Sequence, residues 1–148
     1  AVQGLVFDAL VCPRHLPVLL ELARRHPDLT IVIDHGAKPD IARGGLGGWQ
    51  QGLKALASCP RVYCKLSGLA TELAPGQPWE ELLPYLDSGL EIFGPERVLW
   101  GSDWPVLNLA GDYSRWLTLA WHRVNAVTPG QEAAVFRGNA RAVYGLAI

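Results

Sequence analysis

Four short apolar runs, each followed by a stretch of helical periodicity, constrain this chain more than any other feature. The runs cover residues 3–8, 30–35, 61–67 and 97–103 and are rich in β-branched and aromatic residues. Their hydrophobicity is nearly continuous instead of alternating, the pattern of parallel strands covered on both faces. After the first run, Leu16, Leu19, Leu20 and Ala23 recur at i, i+3, i+4 and i+7, with Arg24 and Arg25 toward solvent. Trp49, Leu53, Leu56 and Ala57 mark a helix after the second. A stretch from Trp79 to Phe93 follows the third, where Pro84 must kink the helix or begin a new one. Trp116, Leu117, Leu119, Ala120 and Val124 follow the fourth. A last helix is expected to start at Thr128-Pro129, with Thr128 as N-cap and Gln131 reaching back, and to end near Gly145.

The pattern is therefore βα repeated four times plus a terminal helix, an α/β class with a parallel sheet. Two architectures compete, an open doubly wound sheet and part of a (β/α)8 barrel of the TIM type. Runs starting near 3, 30, 61 and 97 match the roughly 31 residues that a barrel spends on each unit, which favours the barrel. No Gly-rich dinucleotide fingerprint follows the first run, since Asp8-Ala9-Leu10-Val11-Cys12-Pro13 lacks it. The cluster Gly44-Gly45-Leu46-Gly47-Gly48 lacks the Lys-Ser/Thr of a phosphate loop and reads as a mobile loop or lid. All of residues 1–148 read as a single domain.

Composition narrows the partners. The chain is 49% hydrophobic and 18% charged, a globular balance, and 13 basic against 14 acidic residues leave a net charge of −1. That balance offers no broad attraction for nucleic acid or an anionic membrane. No apolar run approaches the roughly 20 residues of a membrane span. Cys12, Cys59 and Cys64 have neither CxxC spacing nor an even count, which fits a reduced, cytoplasmic protein. No charged segment precedes an apolar stretch at the N-terminus, and the chain runs from Ala1 almost at once into a strand, so the encoded start is expected upstream.

In parallel α/β folds the chemistry gathers at the carboxyl ends of the strands. The polar residues there are Asp8, Asp34 and His35, Lys65 and Ser67, and Ser102 and Asp103. Capping the next loop is the ordinary role for Asp8 and Asp34, and turn chemistry the ordinary role for Ser67 and Ser102. Asp103 stands apart. Gly101 permits a close approach to the backbone, Pro105 fixes the chain beyond the strand, and Trp104 offers an apolar wall beside the carboxylate. Such a carboxylate suits a general base that takes a proton from water, or a metal ligand. His35 closes the second run and can meet Asp103 across the mouth of a barrel. One imidazole and one carboxylate are a partial set, because a catalytic zinc normally takes three protein ligands.

Four motifs in order, Asp34-His35-Gly36-Ala37-Lys38-Pro39, Lys65-Leu66-Ser67-Gly68, the run from Arg97 through Asp103-Trp104-Pro105, and Asn139-Ala140-Arg141-Ala142-Val143-Tyr144, resemble the amidohydrolase superfamily. The branch they look most like is the amidohydrolase-2 group of sugar-lactone and pyrone-dicarboxylate lactonases. The resemblance implies a hydrolase in which His35 ends strand six and Asp103 is the strand-eight aspartate that activates the hydrolytic water. It places Trp104 and Lys65 on the substrate pocket and implies a lactone or cyclic ester as substrate. It also implies one divalent metal, zinc first, held by His35 and Asp103, or none. The family's first strand carries a His-x-His pair, which this sequence lacks; His15, His26 and His122 are isolated and read as surface residues. On this reading the chain supplies strands five to eight, and its partner is the other half-barrel or a second copy of itself. Two alternatives stay open: a metal-dependent decarboxylase of the same superfamily, and an inactive half-barrel that self-associates.

Overall fold

A computed structural model describes residues 4–147. Four parallel strands, β1 (Phe7–Ala9), β2 (Ile31–Ile33), β3 (Val62–Leu66) and β4 (Val98–Trp100), lie side by side in sequence order. A doubly wound sheet reverses its order at a switch point, and this one has no reversal, so the order is that of a barrel arc. Register aligns Phe7, Ile31 and Val62, then Ala9, Ile33, Cys64 and Val98. By the two-residue alternation of strands these side chains share one face, and Asp8, Val32, Tyr63, Lys65 and Leu99 share the other.

The helices α1 (Leu16–Arg25), α2 (Leu46–Ala57), α3 (Leu83–Phe93) and α4 (Tyr113–Val127) each touch the next in line. Their apolar stripes bury Leu16, Leu19, Trp49, Leu53, Leu56, Leu86, Leu90, Trp116 and Val124 together with Ile31, Ile33, Val62, Cys64 and Val98. Each fully buried aliphatic side chain contributes about 1.5–3 kcal/mol. Burial pushes the Cys64 thiol up to about 12, so it is an inert core residue. Polar ties fasten the layers. Arg97 donates to the carbonyls of Ala57 and Cys59, and Arg123 of α4 grips Asp87 of α3 through two bonds of 2.8 and 2.6 Å. No helix among the described residues is long and apolar enough to cross a membrane.

Several expectations are corrected. Only β2 is buried throughout; Phe7 and Asp8 of the edge strand β1 are exposed, whereas the other edge strand, β4, is covered by the closing helical segment. The first run begins at Gln3, which lies outside the described residues, and its strand is Phe7–Ala9. β1 and β3 keep Asp8 and Lys65 within the ladder, whereas β2 and β4 stop short of His35 and Asp103, at Ile33 and Trp100, because those two residues take positive φ values of 52° and 58° that leave it. The glycine cluster is a helix start instead of a loop. Gly44 (φ 70°) closes the short 3-10 turn Ile41–Arg43, Gly45 is the N-cap of α2, and Leu46 is its first residue. Pro84 begins a new helix, sitting in the first turn of α3 after the 3-10 turn Trp79–Leu82.

Thr128 caps the wrong helix for the sequence reading. Its hydroxyl donates to the Val124 carbonyl at the end of α4, and its carbonyl accepts from Gln131 across Pro129-Gly130. With Gly130 at φ 80°, that is the turn a Pro-Gly pair favours, and it won over the helix cap. The final helical segment therefore starts after Gln131. It passes through a π-helical run, Ala134–Gly138, into α5 (Asn139–Tyr144). Asn139 ties α5 to β4 by donating to the carbonyls of Pro95 and Val98 at 2.6 and 2.7 Å.

Glycine substitutions test the packing. A Cβ on Gly111 would lie 2.3 Å from the buried Trp79 ring, whereas one on Gly47 meets nothing within 4 Å. Gly111→Ala is expected to cost about 1–3 kcal/mol and Gly47→Ala to add up to about 1 kcal/mol, read from urea midpoints.

Candidate functional site

The carboxyl ends of β2, β3 and β4 bring His35, Ser67 and Asp103 together. His35 Nε2 lies 3.8 Å from Asp103 Oδ1, with the two side chains 23% and 11% exposed. On the other side of the ring, His35 Nδ1 is 2.8 Å from Ser67 Oγ. The pair expected from sequence is thus adjacent, and a buried serine that reads as turn chemistry completes a line of three. Ser102 does keep a turn role, its hydroxyl accepting from the Trp104 amide.

Local backbone explains the placement. His35, Gly36, Ala37 and Lys38 all have positive φ, a tight left-handed turn that swings the imidazole over β3. Two buried indoles hold the turn backbones in place. Trp49 Nε1 of α2 donates to the Gly36 carbonyl at 2.6 Å, and Trp116 Nε1 of α4 donates to the Gly101 carbonyl at 2.8 Å. Glycines make the close approach possible. A Cβ on Gly68 would sit 2.5 Å from His35 Nδ1, and one on Gly101 would sit 3.0 Å from Ser67 Cβ. Lys38 pairs with Glu72 at 2.6 Å, tying the loop after β2 to the loop after β3.

Lys65 belongs to a second, connected cluster. Its ammonium donates to Asp34 at 2.6 Å and reaches Asp8 at 3.4 Å, and it stands 5.6 Å from the Tyr144 ring centroid. Tyr144, from the far end of the chain, donates its hydroxyl to Asp8 at 2.5 Å. Among the described residues neither aspartate accepts from a loop amide, the capping role of the ordinary reading; both serve Lys65. Partial burial by itself would lower the lysine, but the Asp34 bond and charge, with Tyr144, outweigh it and hold Lys65 above its usual range. Burial first, then the bond to Asp8, pushes the Tyr144 hydroxyl up to about 12 against a smaller opposing effect of Lys65. Tyr144 is the residue that sequence reasoning missed here. Its only signal was its place in the closing motif.

Trp104 is 65% exposed, so its ring is free to meet a ligand or another surface. Among the described residues no group of three or more His, Cys, Asp and Glu side chains could hold a metal. His35 and Asp103 are two donors of the right kind for a divalent ion, an imidazole nitrogen and a carboxylate oxygen, one fewer than a catalytic zinc takes. His15 engages the Cys12 amide and Arg14, and His26 and His122 are exposed.

The sequence matches the amidohydrolase family model over residues 1–146. It is 49% identical over 144 residues to the L-fucono-1,5-lactonase of Burkholderia ambifaria, covering 93% of this chain and 49% of that protein. A crystal structure of a Burkholderia multivorans amidohydrolase with bound zinc superimposes with a TM-score of 0.90 at 36% identity, covering 95% of this chain and 52% of that one. A 2-pyrone-4,6-dicarboxylic acid hydrolase structure from Pseudomonas putida, described as putative in function, gives 0.75 at 27% identity, covering 99% and 54%. The chain spans about half the length of the curated relatives it matches.

The Lys65–Tyr144 cluster makes a pH-dependent contribution. Both groups hold their protons more tightly folded than unfolded, so the stabilisation is full below pH 10 and is lost as pH rises toward 12. In ultraviolet titration Tyr144 is expected to ionise near 12. Tyr144→Phe should flatten the alkaline decline of the urea midpoint.

Proposed function

This chain belongs to the amidohydrolase family, and on that footing we propose that it carries the base-bearing half of a hydrolase that opens a sugar lactone. The observation that carries the reading is the facing pair, His35 Nε2 and Asp103 Oδ1, 3.8 Å apart at the carboxyl ends of two different strands. That gap is too long for a direct hydrogen bond, so each group is free to address a reacting oxygen lying beside the pair.

In this reading the Asp103 carboxylate takes a proton from water while the water oxygen bonds to the lactone carbonyl carbon. The carbonyl becomes a tetrahedral oxyanion, and a donor at His35 Nε2 stabilises it. On collapse the carbonyl re-forms, the ring C–O bond breaks, and the ring oxygen receives the proton held by Asp103. The product is the open hydroxy acid. Lys65, neutralised by Asp34, serves to hold the strand ends, and Trp104 offers its exposed ring to the substrate. If a divalent metal is bound, His35 and Asp103 would hold it and it would supply Lewis acidity toward the carbonyl. A relative solved with zinc bound supports the option of a metal.

A lactone is preferred to a decarboxylation substrate because relatives are named lactonases. The remaining groups of the site, and the partners for the open edges of β1 and β4, would come from a companion half-barrel. Exposed Leu5, Phe7 and Leu10 beside the β1 edge support such a contact. A second copy of this chain is the other occupant. Three free cysteines fit a reducing, cytoplasmic setting.

The barrel assembled with its companion half is expected to hydrolyse aldono-1,5-lactones, followed by acid release at constant pH. Asp103→Asn should lower kcat about 10³-fold with an unchanged circular dichroism spectrum. Absence of turnover with any lactone, or full activity retained by Asp103→Asn, would overturn the reading.

A further inference from the structure

We propose that Ser67 is a positioning residue that fixes His35 as the Nε2–H tautomer, so that the ring presents a donor toward Asp103. The tautomer follows from the geometry; its catalytic use rests on the metal-free form of the lactonase reading above, since a metal on Nε2 would take the place of that proton.

Ser67 is 1% exposed, and among the described residues its hydroxyl has a single hydrogen-bond partner, His35 Nδ1 at 2.8 Å. One contact can be made in two ways. If Nδ1 carried the proton it would donate to Oγ, and the serine O–H would be left buried without an acceptor. Such an orphan costs about 1–3 kcal/mol. If the serine O–H donates to the Nδ1 lone pair, both buried groups are satisfied by the same bond and the imidazole proton moves to Nε2. A difference of that size is a population ratio of roughly five to over a hundred in favour of Nε2–H.

Neither side of the contact can readily escape. Gly68 and Gly101 close on the pair so tightly that a Cβ on either would lie 2.5 Å from Nδ1 or 3.0 Å from Ser67 Cβ. The His35 turn is held by the Trp49 bond to Gly36. Because Ser67 is already buried within this chain, another segment docking on the surface cannot hand it a second acceptor. The serine therefore acts in this half of the site alone. Its effect lies one ring away, where Nε2–H faces the space beside Asp103 and is ready to donate to a developing oxyanion without first acquiring a proton.

The tautomer is readable without turnover. Long-range proton–nitrogen spectra of the ¹⁵N-labelled chain at about pH 8.5, above the ordinary imidazole range, distinguish the two neutral forms. His35, assigned by its absence in His35→Gln, is expected to show a bare Nδ1 and a protonated Nε2. Ser67→Ala should shift the ring toward a mixture, and Ser67→Cys, with its weaker donor, should fall between. An Nδ1–H form or an even mixture in the unaltered chain overturns the proposal, as does a Ser67→Ala spectrum identical to the parent. Should Ser67→Ala fail to fold, the parent spectrum decides alone. In the assembled barrel Ser67→Ala should lower kcat about 10- to 100-fold with little change in KM. A barrel without lactonase activity would sink the functional reading and leave the spectrum to judge the serine.

Discussion

Two indole N–H groups, on Trp49 and Trp116, determine where the chemistry of this chain can sit. Each reaches from a helix buried on one face of the sheet to a carbonyl just beyond a strand, at Gly36 and Gly101. A carbonyl at such a turn has left the strand ladder and needs a partner, since an unpaired buried one costs about 1–3 kcal/mol. The two bonds satisfy that need and fix the backbone one residue after His35 and two residues before Asp103. Helix packing and site geometry are thereby the same event. The Trp49 ring also packs, tilted by 53°, against Tyr85 with centroids 5.3 Å apart, which links the His35 turn to α3 as well as to α2.

Strain is concentrated at the same places. His35 and Asp103 both occupy the left-handed region at φ 52° and 58°, a conformation that side-chain-bearing residues adopt at a cost of about 1–3 kcal/mol. Neither is glycine, so each conformation persists because its surroundings hold it. For His35 those surroundings are Ser67, Gly68 and the Trp49 bond. The cost is spent on pointing an imidazole and a carboxylate toward one another from strands separated by β3.

The second cluster solves a different problem. A parallel sheet with polar residues on one face leaves Asp8, Asp34 and Lys65 close together, and any one of them alone would be a poorly solvated charge. Grouped around one ammonium, with the Tyr144 hydroxyl as a further donor, they satisfy one another. Tyr144 lies 136 residues from Asp8, so the closing helix spans the sheet from its Asn139 anchor at β4 to its contact at β1. The last motif of the sequence is structural at both ends.

The sequence by itself determined the class, the number of βα units and the two residues that face each other. Those follow from local rules: short continuous apolar runs, period-3.6 hydrophobicity, strand-end position, and motifs of a few residues. It also carried the family, through four motifs in order. Tertiary structure decided the rest. The monotonic strand order settled barrel against open sheet, because order depends on which strands pair and not on any one strand's composition. Ser67 looked like a turn residue because Ser-Gly is common turn chemistry, and its contact with His35 spans 32 residues. Asp8 and Asp34 looked like caps because the lysine they share, and the tyrosine that meets Asp8, come from distant parts of the chain. The glycine cluster and Thr128 were misread for the opposite reason, a choice between two local motifs that similar residues permit. Local physics set what each segment could become, and long-range hydrogen bonding chose which residues would act together.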